Sequence, residues 1–342
     1  MLIREISKID SLPLSAEIKS IRSYPIHMHD AYEILFVLDG SIELKCTAFN
    51  YTLSKGDIFI VNVKELHMIS NGSPSNLVLV LQFDPYRYLS IFPKLDYYIF
   101  VCDSFASTNK QNEKLIQLQQ LLLKIYHQLI HRTENTNVKA EEYLFELITY
   151  LINHFQSFRL EHNGYRNNSV FKGTAYQQER IFNIQEYLYR NFNRKIDLED
   201  VAEYVHLSKY YVSHIIKTAT GLSMTDFLGL TRVERSEHLL LSTSKAIEDI
   251  SFECGFSALR YYEKHFSRWY HMRPADYRKN YIETIEPSPP EGCNYPLDPA
   301  ALGEVLETFA LTDVQVPTSI TYPGVYQYAL DFHAPFKPFP HS

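Results

Sequence analysis

The chain has 342 residues, of which 45% are hydrophobic and 21% charged, and this composition is typical of a folded soluble protein with two or three domains. No apolar run approaches the ~18 residues of a membrane-spanning helix, and the N-terminus lacks the basic flank and apolar core of a signal peptide. Four widely separated cysteines without a CxxC pair argue against a disulfide framework and against a cysteine zinc site. We therefore expect a cytoplasmic protein with no membrane partner.

The net charge of −7 is unevenly distributed along the chain. Residues 283–342 hold eight acidic residues and one basic residue, whereas 258–281 hold six basic residues and two acidic ones. A DNA-binding surface needs local basic charge rather than a positive overall balance. The charge pattern is thus compatible with a nucleic-acid partner.

Residues 1–100 are predicted to form a β domain. Turn signals such as Asp39-Gly40 and Lys55-Gly56 separate short segments that are rich in β-branched and aromatic residues. These segments are 33–38 (EILFVL), 41–46 (SIELKC), 57–63 (DIFIVNV) and 77–83 (LVLVLQF). Several short strands at this spacing favour a small barrel or sandwich.

The stretch HMHDAYE, residues 27–33, contains residue types that ligate metals. His27 and His29 alternate on a predicted strand, so both point to the same side of it, and Glu33 follows. With the later His67, this spacing resembles the two motifs of a cupin barrel. The resemblance implies a divalent metal held by the His cluster, a name used below for His27, His29, Glu33 and His67.

The same four residues, with Tyr24, also suit the recognition of a small molecule in a concave pocket. Tyr32 and Phe36 offer either stacking surface or ordinary core. The aromatic content of 14% suits a sugar or an aromatic ligand equally well.

Residues 101–160 are predicted to form a helical pair. Apolar residues recur at three- and four-residue steps in 111–131 and in 139–158, with a polar turn at 133–137 between them. We expect the pair to cover one face of the barrel or to form the interface of a homodimer. Residues 161–177 are polar and aperiodic, which indicates a linker.

Residues 178–282, called the reader domain below, are helical throughout and contain two helix-turn-helix patterns. In the first, Asp197 caps one helix, Ser208 caps the next, and Gly221 ends it. In the second, Gly255 makes the turn and Ser257 is expected to cap the following helix.

This domain resembles the DNA-binding domain of AraC-type transcription regulators. The resemblance spans about a hundred residues and is carried by both units, by Arg232, and by the closing Pro274, Tyr277 and Arg278. The departures are Ser251 in place of the usual Ala, His271 in place of Gly, and His214 in place of a common Arg. The last of these weakens the case for a strong phosphate or base contact from the first unit.

The family resemblance implies double-stranded DNA as a partner and one recognition helix from each unit in the major groove. The residues carried over as DNA-binding are Tyr210, Ser213, His214, Lys217, Leu259, Arg260, Glu263, Lys264, Arg268 and Lys279. Among these, Arg260 is expected to read a guanine, while Lys217, Arg268 and Lys279 are expected to contact phosphates.

Taken together, these features predict a multidomain α+β protein: a cupin-like β-barrel with a helical pair, then an all-α tandem helix-turn-helix domain. The predicted function is a ligand-responsive transcription regulator without enzymatic activity, with a small-molecule effector and RNA polymerase as a further candidate partner. The alternative is a metal-dependent cupin enzyme fused to a DNA-binding domain. The acidic, proline-rich tail at 283–342 is expected to be loosely packed, or else to fold back onto the basic face between Arg260 and Lys279.

Overall fold

The computed structural model describes residues 3–4, 12–102, 104–105, 112–130, 136–157, 159–161, 164–166, 175–282, 292–297, 302 and 305. Within these ranges the chain forms a β domain with two helices, followed by an all-helical reader domain. This is the predicted multidomain α+β architecture. No helix within the described ranges combines the length and hydropathy that a membrane crossing requires.

Twelve strands are present in the described residues. In chain order they are β1 (Ile3–Arg4), β2 (Leu14–Ile21), β3 (Tyr24–Met28), β4 (Tyr32–Asp39), β5 (Ser41–Cys46), β6 (Phe49–Ser54), β7 (Ile58–Val61), β8 (His67–Ser70), β9 (Leu77–Phe83), β10 (Arg159–Glu161), β11 (Gly164–Arg166) and β12 (Asn294–Tyr295). The four segments predicted from the sequence correspond to β4, β5, β7 and β9.

Two five-stranded sheets build the β domain, with strand orders β1-β3-β8-β5-β6 and β12-β2-β9-β4-β7. Leu35 and Val37 of β4 pack against Ile42 and Leu44 of β5 in the core between the sheets. Because side chains alternate along a strand, the other face of β4 points away from this core. The domain is therefore a cupin-like double sheet, and both faces of β4 are buried.

Nine α-helices are present in the described residues, with two short 3-10 helices at Pro85–Tyr88 and Leu95–Tyr97. The α-helices are α1 (Glu113–Ile130), α2 (Thr136–His154), α3 (Ala175–Asn191), α4 (Leu198–Tyr204), α5 (Lys209–Thr220), α6 (Met224–Ser242), α7 (Ile247–Glu253), α8 (Leu259–Tyr270) and α9 (Pro274–Ile282). Helices α1 and α2 bury their leucine stripes against Ile34, Phe36 and Leu38 of β4. The predicted helical pair therefore covers one face of the double sheet.

Most of the helix caps and helix ends predicted in the reader domain are confirmed. Asp197 forms a capping box with Asp200, Ser208 caps α5, and Gly221 ends α5 in the left-handed region with φ of 75°. The prediction for Ser257 is wrong, because α8 begins after Ala258 and has no side-chain cap. His271 ends α8 with φ of 55°, the conformation for which the family uses glycine.

Two other expectations need correction. The predicted linker is not irregular throughout, since β10 and β11 form an antiparallel hairpin in which Arg159 pairs with Arg166. The tail is not loosely packed throughout, because Asn294 and Tyr295 add a strand to the edge of β2. Neither segment carries the apolar periodicity that predicts such an element. Residues 306–342 lie outside the described residues.

The β domain and the reader domain pack directly against each other. Ile26 and Leu66 of the β domain belong to the same apolar cluster as the reader core. The ring of Tyr98 stacks on Phe182 at a centroid distance of 4.4 Å. Lys94 forms an ion pair of 2.9 Å with Glu186 of α3. The two domains thus share an interface with apolar, aromatic and charged contacts.

Candidate effector site and DNA interface

The strands of the double sheet bring the His cluster together. His27 lies on β3, Glu33 on β4 and His67 on β8, while His29 follows the end of β3. His27 and His67 are opposite each other in the β3–β8 ladder, with ring centroids 4.0 Å apart. The exposed fractions are 3% for His27, 1% for His29, 5% for Glu33 and 0% for His67. All four are therefore shielded from solvent.

Backbone carbonyls orient the three imidazoles. The Nδ1 atoms of His27, His29 and His67 each lie 3.0 Å from a carbonyl oxygen, those of Pro25, Ala31 and Glu65 respectively. A neutral ring that donates from Nδ1 keeps its lone pair on Nε2. One ligating atom from each of the three rings lies within 4.8 Å of the others. The rings are thus preset to offer three nitrogen ligands around one point.

The Glu33 carboxylate completes this arrangement. Its two oxygens lie 3.5 Å from Nε2 of His29 and 3.4 Å from Nε2 of His67. Burial by itself raises the pKa of Glu33, but the contacts with His29 and His67 outweigh it and hold the pKa well below its usual range. Burial, reinforced by His67, lowers the pKa of His27 well below its usual value. The cluster therefore favours one carboxylate and at least one neutral imidazole.

Gln82 is a further site residue that was not predicted from the sequence, and its amide nitrogen donates a 2.6 Å hydrogen bond to Glu33. Gln82 lies opposite Glu33 in the β4–β9 ladder. A polar residue in the otherwise apolar strand LVLVLQF was the available signal. Hydrogen bonds of this kind fix the orientation of a ligating carboxylate.

The aromatic candidates divide into two groups. The ring of Tyr24 lies 4.6 Å from that of His27, beside the cluster. Tyr32 is fully buried, and its hydroxyl oxygen lies 2.6 Å from the carbonyl oxygens of both Leu95 and Tyr98. Phe36 packs toward α1 and α2. Tyr24 thus remains a candidate site residue, whereas Tyr32 and Phe36 belong to the core.

The donor set of the His cluster fits a divalent transition metal. Three imidazoles and one carboxylate are ligands that Zn, Fe, Mn or Ni accept, and the orienting carbonyls and Gln82 are the outer contacts that such sites require. The same convergent polar groups could also hold a polar group of a small molecule.

The first recognition helix, α5, presents its four predicted side chains to solvent. Tyr210 is 82% exposed, and Ser213, His214 and Lys217 are also exposed. The Lys217 ammonium folds back to donate to the carbonyl of Gly221 at 2.7 Å. This contact uses the end of the same helix.

The second recognition helix, α8, separates its predicted residues more clearly. Arg260 and Lys264 are exposed, Glu263 is half-buried, and Leu259 packs partly against the reader core. The Arg260 guanidinium lies 4.9 Å from the centre of the Tyr261 ring. Tyr261 is itself 44% exposed and was not among the predicted residues. Arg260, Tyr261 and Lys264 are therefore accessible on this face.

The two remaining basic residues predicted to contact DNA, Arg268 and Lys279, differ in their contacts. Arg268 forms an ion pair with Asp226 at the start of α6, which ties α8 to the connecting helix. Lys279 is exposed on α9. Helix α6, with 19 residues, is ~28 Å long and joins the two units. This length is compatible with two recognition helices about one turn of DNA apart.

A double sheet with a buried polar cluster, joined to two helix-turn-helix units, defines a ligand-sensing DNA-binding regulator. Two family models agree with this: the AraC-like ligand binding domain matches residues 17–148 and the helix-turn-helix domain matches residues 201–280. The chain belongs to the AraC-type transcription regulators. It is a ligand-responsive regulator that binds DNA through its C-terminal domain.

Curated relatives cover most of the chain. The HTH-type transcriptional activator RhaS of Enterobacter sp. (strain 638) is 24% identical over 75% of this chain and 88% of its own length. The Msm operon regulatory protein of Streptococcus mutans is 24% identical over 74% of this chain and 85% of its own length.

Solved structures give a weaker likeness. ToxT from Vibrio cholerae, bound to an unsaturated fatty acid, is 12% identical over 80% of this chain and 97% of its own, with a TM-score of 0.41. The C-terminal domain of AraT from Geobacillus stearothermophilus is 27% identical over 32% of this chain and 88% of its own, with a TM-score of 0.29.

Proposed function

We propose that the His cluster is the effector-sensing site of the regulator and that it holds a divalent metal. The observation that carries this proposal is the convergence of three buried imidazoles whose Nδ1 atoms all lie at carbonyl oxygens, beside one carboxylate. A metal held by these four residues would stabilise the barrel and would supply an electrophilic point for a polar group of the effector, with Tyr24 beside it. The His cluster binds the metal and the effector, and it does not catalyse a reaction.

The DNA interface is proposed to consist of the exposed faces of α5 and α8. Arg260 reads a base edge, Lys264 and Tyr261 flank it, and Lys217 and Lys279 contact phosphates. Tyr210, Ser213 and His214 face DNA from the first unit. Leu259, Glu263 and Arg268 support α8, because they are partly buried or paired.

The regulator is proposed to act in the cytoplasm as a homodimer. Ile116 and Ile130 of α1 and Val138 of α2 remain exposed on the helical pair, and these apolar side chains are available to a second copy. The relatives named as activators support RNA polymerase as a partner. Effector binding shifts the population of domain arrangements and so changes which DNA spacing is favoured.

The test is the metal content of the purified full-length chain, with melting temperature and operator affinity measured before and after chelation. We expect stoichiometric metal and a melting temperature that falls on chelation. His67→Ala should abolish metal binding, while His127→Ala, at an exposed position of α1, should not. The metal proposal would be contradicted if the purified protein contained no metal and its melting temperature did not rise when Zn, Fe, Mn or Ni was added.

The second candidate function is a metal-dependent cupin enzyme joined to a DNA-binding domain, because the donor set also suits catalysis. An activity assay before and after chelation distinguishes the enzyme from the regulator that only binds metal. Turnover of a supplied small molecule that disappears on metal removal would establish the enzyme.

A further inference from the structure

A second cavity lies outside the His cluster, between the β domain and the reader domain. It has a volume of about 120 Å³. Its β-domain wall includes Asp96 and Tyr97, and its reader wall comes from α3 and α6, including Gln185, Tyr189 and Glu234. The volume is below the ~300–1,000 Å³ of pockets for drug-sized ligands, so the cavity suits a compact ligand. We call it the interdomain cleft.

The wall of the interdomain cleft is acidic and aromatic. Four carboxyl groups line it, and two cationic side chains, Lys64 and Arg235, oppose them. Both cations are already engaged: Lys64 lies 3.8 Å from Asp30, and the Arg235 guanidinium lies 5.4 Å over the ring of Tyr189. The four carboxyl groups are those of Glu65, Asp96, Glu234 and Glu237.

Burial acts on two of these carboxyl groups. It raises the pKa of Glu237, which is fully buried, and that of Asp96, which is half-buried, because burial disfavours the ionised forms. A cation entering the cleft stabilises the ionised carboxylates and is attracted to the tyrosine faces. An anion is repelled by the same carboxylates and by the tyrosine faces.

Gln185 supplies an independent indication of a ligand. Its side chain is 2% exposed and lines the cleft. Its amide nitrogen donates to the carbonyl of Tyr97 at 3.2 Å, which fixes the amide orientation. Its carbonyl oxygen accepts no hydrogen bond from the described residues. A buried acceptor without a donor is costly, and a bound N–H group satisfies it.

The geometry points to the interdomain cleft as a binding site for a small organic cation, with an ammonium or guanidinium group that donates to Gln185 and Glu234 and lies against Tyr97 and Tyr189. Since the walls belong to both domains, an occupant links the β domain to the reader domain. The site is distinct from the His cluster and does not depend on its metal.

The experiment measures binding to the full-length chain by calorimetry and thermal melting, without DNA. The probe is butane-1,4-diamine, and its neutral counterpart butane-1,4-diol is the matched control at equal ionic strength. We expect the diamine to bind and to raise the melting temperature, and the diol to do neither. The His27→Ala variant should bind the diamine equally well, because His27 does not line the cleft, and this result separates the proposal from the metal proposal.

Variants locate the site. Glu234→Gln and Gln185→Leu keep side-chain size and should each weaken diamine affinity about 10-fold or more, which corresponds to about 1.4 kcal/mol. Glu179→Gln, an exposed change on the same helix as Gln185, should leave the affinity unchanged. Absence of diamine binding to the wild type would overturn the inference. So would equal binding of the diol, or unchanged affinity in both cleft variants when circular dichroism shows that they are folded.

Discussion

The ammonium nitrogen of Lys45 lies 3.3 Å from the phenol oxygen of Tyr277, although 232 positions separate the two residues in the sequence. Lys45 belongs to β5 of the β domain, and Tyr277 to α9 of the reader domain. The same nitrogen lies 5.1 Å over the Tyr277 ring and 4.9 Å over the Tyr281 ring. A cation of one domain is therefore enclosed by aromatic rings of the other.

This contact adjoins the His cluster. Cys46, the neighbour of Lys45 on β5, pairs with His67 in the β5–β8 ladder. On the reader side, Tyr277 donates to the buried Glu237, which also accepts a 2.7 Å hydrogen bond from Tyr270. A change at His67 therefore has a short physical route, through two neighbouring strands, to the reader core.

Lys45→Met should weaken the contact between the domains while keeping the apolar stem of the side chain. We expect a loss of about 1–2 kcal/mol, because a desolvated cation–π contact is lost and Glu237 loses a neighbouring positive charge. Urea unfolding measures the loss. Lys55→Met, which removes an exposed ion pair with Asp39, should change stability by less than about 0.5 kcal/mol. A double-mutant cycle with Tyr277→Phe should give a nonzero coupling energy.

Glu237 should make the stability of the protein fall as pH rises. Burial raises its pKa in the folded state, so the folded state holds this proton more tightly than the unfolded state does. The stability contribution is then full below the unfolded pKa of ~4.5 and is lost as pH rises through the folded pKa. The melting temperature of Glu237→Gln minus that of the wild type should therefore increase from pH 4 to pH 7. Glu248→Gln, an exposed change, should show no such trend.

Arg260→Ala should cost about 1–3 kcal/mol of affinity for the specific operator and relax the sequence preference at one position. We expect this loss because the exposed guanidinium on α8 can reach a base edge. Binding to operator and to random duplex is compared in the same salt. Equal losses on both duplexes would show a phosphate contact instead. Lys139→Ala, which removes an exposed charge on α2, is the control.

Deletion of 292–342 should lower the melting temperature of the β domain without raising operator affinity. The segment adds β12 to the edge of β2, and Arg22 lies 4.6 Å over the Tyr295 ring. Deletion of 306–342 alone is the control for the shortened chain. Tighter operator binding by the longer deletion at low salt would instead support the autoinhibitory tail.

His271→Gly should stabilise the reader domain by about 1 kcal/mol, because glycine adopts the left-handed conformation at the end of α8 without steric cost. The same substitution at His214, which lies inside α5, should destabilise by about 1 kcal/mol. Opposite shifts in melting temperature would confirm the backbone argument, whereas two losses would contradict it.

The sequence alone determined the class of the protein and most of its elements. Alternation in EILFVL and LVLVLQF and the leucine period of 111–131 are local signals, because side-chain direction repeats every two residues in a strand and every 3.6 in a helix. The caps at Asp197 and Ser208 are equally local. The spacing of HMHDAYE predicted that His27, His29 and Glu33 belong to one site.

Only the tertiary structure decided which distant residues meet. Strand pairing places Gln82 on Glu33, domain packing places Lys45 in the aromatic rings of α9, and both contacts arise from long-range pairing that no local period encodes. The strand Asn294–Tyr295 forms because β2 offers an unpaired edge to it, not because its own sequence favours a strand. The interdomain cleft likewise exists only where two separately patterned domains come together.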